Sequence, residues 1–251
     1  MVVKRSKFRY LASLLLVVFI AAESFPVLVS AVTLNLQVAA SADDGTCPNV
    51  TSDSGRSVSA CGTGVINASV LAAGSHGGND EWPVGTRFLN VTIPNAATIT
   101  SATFTLKAQA TWASPGTISY LVSAQAADDP TTFTTAVNQL TTGTRPRTTA
   151  VSAAWVLSSV TAETDYSIDI TSVIQEIVNR AGWASGNDMV IIIDTGVPTT
   201  AGEWQDFYSY DNTPSKAPKL DIVYTAGGSS SPGYIIKIRG RVNIRGVVKF
   251  R

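Results

Sequence analysis

The chain has a single histidine, His76, and only two cysteines, Cys47 and Cys61. Two cysteines and one histidine do not make a tetrahedral zinc set, and His76 sits in a glycine-rich stretch that reads as a solvated loop. The sequence carries no Gly-x-Ser-x-Gly, no phosphate-binding glycine loop and no EF-hand spacing. Its adjacent acid pairs, Asp43-Asp44, Asp80-Glu81 and Asp128-Asp129, fall in turn-like stretches. There they read as solvated charge rather than as the paired carboxylates of a hydrolase. An enzyme is not expected. Charge is scarce as well: Asp, Glu, Lys and Arg make up 14% of the chain, against about 25% in average proteins. Ser, Thr and Ala take their place, which predicts a surface covered largely by hydroxyls, as is common in exported β proteins.

The first residues hold Lys4, Arg5, Lys7 and Arg9, followed by an apolar run from Tyr10 to Ala22 and the small residues of Val29-Ser30-Ala31. This is the pattern of a secretory signal peptide, expected over residues 1–31. The apolar run falls short of the roughly 20 residues that a spanning helix needs, so the mature chain is expected to have no transmembrane span and to be secreted or held at the cell surface. The formal net charge of zero hides an asymmetry. Between residues 32 and 233 stand eight Lys and Arg against 17 Asp and Glu, whereas residues 234–251 hold six basic residues and no acid.

Strand period dominates the body. Leu34, Leu36 and Val38 alternate in a first strand, and Ala102, Phe104, Leu106 and Ala108 share one side of a longer one. Residues 117–126, 152–156, 166–170, 207–210 and 219–224 read as further strands. Met189-Val-Ile-Ile-Ile-Asp194 is so apolar that it must be buried on both faces. Residues 41–64 and 72–80 read as long loops. One helix is expected over residues 171–183, with Val173, Ile174, Ile177 and Val178 on one face, Thr171 or Asp169 as cap and Gly182 as stop. Many short strands and one helix predict an all-β fold: a jelly-roll-like antiparallel β-sandwich of two packed sheets over residues 32–225. Residues 226–233 form a Gly/Ser linker, and residues 234–251 a basic amphipathic β tail. In that tail Ile236, Ile238, Val242, Ile244, Val248 and Phe250 share one parity, and Lys237, Arg239, Arg241, Arg245, Lys249 and Arg251 the other. The tail should dock its apolar face on this protein or on a partner, by strand addition or by charge. Export makes nucleic acid a poor natural partner.

Three stretches resemble a known family. They are Asn90 to Leu106, Ser172 to Ile192, and Ser209-Tyr-Asp211 together with Ala217-Pro-Lys-Leu-Asp-Ile-Val-Tyr224. They are similar to the jelly-roll modules of large bacterial and archaeal surface proteins, the disaggregatase-related (DNRLRE) domains and, more distantly, family 6 carbohydrate-binding modules. Where glycine usually follows the Ser-Tyr-Asp phrase, Asn212 stands. The resemblance implies an accessory module, sometimes sugar-binding and not itself a catalyst. It also implies a structural Ca²⁺ as an option, with Asp43, Asp44 and Asp221 as candidate ligands, although plain surface acids are the simpler reading.

Sugar rings have apolar faces that stack on indole and phenol rings. The richest aromatic cluster is Trp204-Gln-Asp-Phe-Tyr-Ser-Tyr-Asp211, in which Trp204, Asp206, Tyr208 and Tyr210 share strand parity. Trp82 and Trp112, in loop-like surroundings, are further candidates, whereas Trp155 and Trp183 read as core. The expected function is that of a secreted, non-catalytic module binding carbohydrate or another surface polymer. The alternative is a structural subunit of a cell-surface or virion assembly with the tail as connector. Cys47 and Cys61 bracket a polar loop in a chain expected to be exported, and so should form a disulfide. Peptide mapping of the non-reduced protein from outside the cell should recover the two linked, and reduction should lower stability by about 3 kcal/mol, read by urea unfolding.

Overall fold

The structure is a computed structural model and describes residues 30–48, 50–52, 58–62, 69–75, 80–195 and 203–226. Residues 1–29 of the expected signal peptide, His76 and the basic tail lie outside the described residues, while Ala31, expected to end that peptide, opens the first strand. Among the described residues, fourteen strands and one α-helix make an all-β sandwich of antiparallel sheets.

The first sheet has the order β1-β14-β8-β11, from Ala31–Gln37, Lys219–Thr225, Thr98–Lys107 and Asp165–Asp169. The second runs β10-β9-β12-β7-β2, from Trp155–Val160, Trp112–Ala124, Met189–Thr195, Val84–Phe88 and Asp44–Thr46. The main core fills the space between them. Ala102, Phe104 and Leu106 of β8 and Leu220, Ile222 and Tyr224 of β14 meet Val84, Phe88, Tyr120, Val122, Met189, Ile191 and Ile193. Phe88 and Phe104 join the two sheets edge to face at 6.4 Å. The alternation predicted for β1 and β8 is observed: Leu34 and Leu36 pack half-buried against the main core between exposed Thr33 and Asn35, and Ala102, Phe104 and Leu106 are buried.

A third sheet was not expected. Its order is β13-β5-β6-β3-β4, from Glu203–Phe207, Leu71–Ser75, Asp80–Trp82, Val50–Ser52 and Val58–Ala60. It is tied to the end of β8 by the Ala108↔Phe207 bridge and extends the main core with Leu71, Ala73 and Phe207. Its strands occupy the segments read as loops at 41–64 and 72–80. Of these, β3, β4 and β5 are short and rich in Ala, Gly, Ser and Thr, and β6 has only three residues, so no period marks them.

The helix α1, Thr171–Val178, is shorter than the pattern predicts. It buries Val173, Ile174, Ile177 and Val178 and packs on β8 and β9. Asp169 accepts the Thr171 N–H at 3.1 Å, as its position suggests. The chain leaves the helix at Asn179, through tight turns from Arg180 to Ile177 and from Trp183 to Arg180. Gly182 serves packing instead, since a Cβ there would lie 2.0 Å from the Asp128 carboxylate.

All seven residues of β12 are buried. Met189, Ile191 and Ile193 face the main core, while Val190 and Ile192 face a second cluster with Cys47, Val58, Cys61, Phe133 and Leu140. That cluster lies under the 126–154 connection and contains the Cys47–Cys61 disulfide. Gly85 of β7 lets the cover close down: a Cβ there would sit 2.6 Å from Leu140 and 2.7 Å from Phe133.

A buried loop needs partners for its backbone, and two arginines supply them. Arg145, 3% exposed, donates to the carbonyls of Gln139, Thr131 and Thr132 and to Gln125, and lies over the Phe133 ring. Burial, with Arg87 and Arg147 nearby, lowers its pKa to about 10. Arg147 forks onto Asp194 of β12 through bonds of 2.9 and 2.8 Å and donates to the Arg145 and Leu140 carbonyls. Both side chains of that pair are nearly inaccessible. Removing one partner strands a buried charge, so Arg147→Ala and Asp194→Ala should each cost about 3–5 kcal/mol in urea unfolding. The combined Arg147→Met/Asp194→Leu chain should lose much less.

Candidate functional site

The aromatic candidates separate. Trp204 and Asp206 lie on β13, half-buried, on the sheet face opposite Gln205 and Phe207, which turn inward. The strand ends at Phe207, three residues before the expected one, and the shared parity ends with it. Tyr208 is buried: its hydroxyl donates to Glu163 Oε1 at 2.5 Å, and Lys216 lies 4.4 Å from the centre of its ring. Lys216 also donates to Glu163 at 2.8 Å, and this bond, with that from Tyr208, lowers the Glu163 pKa. Tyr210 packs against the main core. Neither tyrosine shares the Trp204 face. The turn that follows is held by the Asn212 N–H on Ser209 Oγ, and Asn212 is not among the residues with positive φ, so glycine is not required there.

Trp82 and Trp112 stand in strands rather than loops. Trp112 opens β9, and its side chain lies outside the described residues. Trp82 ends β6 and meets Trp204 across one row of the third sheet. Gly74 of β5 pairs with Trp204 on one side and with Trp82 on the other. Residues directly opposite in an antiparallel ladder point to the same face. Two tryptophans therefore stand on one face with a residue lacking a side chain between them. Two strand spacings separate their backbones, about 9.5 Å. Gly74 has φ 131°, a conformation that L side chains rarely adopt, so the position between the two tryptophans favours glycine. Asp206 lies one row along, on the same face, opposite Ala72.

Sequence reasoning missed Gly74. Ala72-Ala73-Gly74-Ser75 has no strand period, and nothing in the sequence relates this glycine to Trp82 or Trp204.

The carboxylates considered for calcium stand apart. Asp43 accepts Arg87 at 2.7 Å and Thr132 at 3.1 Å. Asp44 lies on the inner face of the second sheet's edge, and its Oδ2 accepts the Tyr210 N–H at 2.7 Å. Asp221 is exposed on the outer face of the first sheet, between Asn35 and Thr103. They do not converge, and among the described residues no group of three or more His, Cys, Asp and Glu could hold a metal.

No protein-family model matches the chain, and no curated protein sequence matches it. The class the structure defines is the all-β sandwich, with a third sheet carrying the tryptophan row.

Asp44 has a clear titration signature. Burial raises its pKa from 3.8 to about 7; the Tyr210 N–H pulls it back, while Asp211 and Asp43 push it up. The unfolded chain releases this proton near pH 4 and the folded chain near pH 7. Stability from the neutral acid is thus fully present below about pH 4 and is lost as pH rises to about 7, by up to roughly 4 kcal/mol. Asp44→Asn keeps the acceptor for Tyr210 and removes the charge. Urea midpoints should therefore fall from pH 5 to pH 8 in the native chain by more than in the variant.

Proposed function

We propose that the protein is an exported, non-catalytic β-sandwich that binds carbohydrate on the outer face of its third sheet. The observation that carries this reading is the row Trp204–Gly74–Trp82. Sugar rings present apolar C–H faces to indoles, and a ring lying over Gly74 would have a tryptophan on either side. Asp206 on the same face offers an acceptor for hydroxyl groups. The row belongs to a sheet that is bonded to the sandwich, so the spacing of the indoles does not depend on a loop.

The non-catalytic part of the reading is supported by the state of the charged groups. Asp43, Asp128, Glu163, Asp165 and Asp194 are each engaged by a lysine or arginine. Export is supported by the disulfide and by the leader-like first 31 residues. No helix among the described residues is long and apolar enough to cross a membrane.

Affinity electrophoresis of the full chain through gels containing a panel of soluble polysaccharides tests the proposal. At least one polysaccharide should retard it. Trp204→Ala and Trp82→Ala should each weaken that retardation by about tenfold, in keeping with the loss of one stacking partner, and shift Tm by only a few degrees. Retention that survives both substitutions, or no retention on any polysaccharide, would count against the proposal.

A further inference from the structure

β11 is an edge strand, bonded to β8 on one side and to no other strand among the described residues. Its sequence is Asp165-Tyr-Ser-Ile-Asp169. Asp165, Ser167 and Asp169 are exposed on the outer face, while Tyr166 and Ile168 are half-buried against the rim of the main core. An edge of this kind offers backbone donors and acceptors, a partly open apolar rim and two carboxylates. Asp165 also pairs with Lys107 and remains 47% exposed. Asp169 caps α1 through Thr171, and the Ser167 hydroxyl bonds Thr105.

The segment 234–251, which lies outside the described residues, contains the complement. Arg241-Val-Asn-Ile-Arg245 alternates basic, apolar, polar, apolar, basic between Gly240 and Gly246. We propose that this segment adds to β11 of its own chain as an antiparallel fifth strand of the first sheet. Arg241 would lie opposite Asp169, Val242 opposite Ile168, Asn243 opposite Ser167, Ile244 opposite Tyr166, and Arg245 opposite Asp165. Every outward pair is then polar or oppositely charged, and every inward pair apolar, which is the pairing that stabilises an antiparallel ladder. A slip of one residue would turn both arginines toward the core and both aliphatic side chains outward.

Reach selects the chain's own segment. Thr225 lies opposite Thr98, and Asp169 opposite Thr103, on the same strand β8. The new strand lies three strand spacings from β14, about 14 Å, and about five residues along, about 17 Å, which makes about 22 Å in all. The roughly 15 residues from Ala226 to Arg241 can reach about 50 Å when extended, more than this gap requires. A covalent tether that can cover the gap holds the segment at an effective concentration in the millimolar range, so the chain's own segment outcompetes that of a second copy.

A full-length chain with Ser167→Cys and Asn243→Cys tests register, face and source together, with Ser167→Cys/Ile244→Cys as the opposite-face control. Mild oxidation should link 167 to 243 within one chain, at a rate independent of protein concentration and at least tenfold faster than in the control. Hydrogen exchange should show the Tyr166–Ile168 amides opening at least tenfold faster in Arg241→Asp/Arg245→Asp than in the native chain. Linked dimers that grow with concentration, equal linking in the control, or no linking together with unchanged exchange would each overturn the proposal.

Discussion

The constraint on which the rest of the structure depends is the burial of β12 on both faces. A strand with five consecutive apolar residues, Met189 to Ile193, cannot lie at the surface of a sheet that is wet on one side. The main core covers one face. The other requires a second cover, and the chain provides it with the long 126–154 connection and the disulfide loop, which meet at Cys47, Val58, Cys61, Phe133 and Leu140. Gly85 leaves the room that this cover needs, since a Cβ there would lie 2.6 Å from Leu140.

The buried cover sets the electrostatics of that side of the molecule. An irregular segment laid over a sheet carries backbone carbonyls that water no longer reaches, and arginine, with five donors in a rigid fork, is the side chain suited to satisfy several at once. Arg145 serves neutral acceptors only, which is why its burial shifts its proton affinity. Arg147 combines two carbonyls with the Asp194 carboxylate. Arg87 does the same nearer the edge, joining the Pro130 carbonyl to Asp43 and Asp188. The low overall charge of the protein is thus spent largely on structure.

The third sheet is where the fold presents something to the outside. It completes the core with Leu71, Ala73 and Phe207 on one face, and on the other it carries the two indoles on either side of Gly74. Tyr208 and Tyr210, sequence neighbours of Trp204, are diverted to structural contacts because β13 ends between them and the tryptophan. The tryptophan face proposed to bind sugar and the core face are divided by strand parity on a single ladder.

The sequence by itself determined the long strands, the all-β class, the helix face, the cysteine pairing and the double burial of β12. Each of these rests on local periodicity or on a short covalent loop, and 189–193 or 102–108 can be read without knowing what they touch. The short strands at 44–46, 50–52, 58–60, 71–75 and 80–82 could not be read in this way. At three to five residues they are too short to show a period, and what holds them is pairing with other strands of the assembled sheets. The same is true of the candidate site. Trp82 and Trp204 are 122 residues apart, and only tertiary pairing through Gly74 puts them in one row, because cross-strand register is a property of the assembled sheet and not of any segment within it.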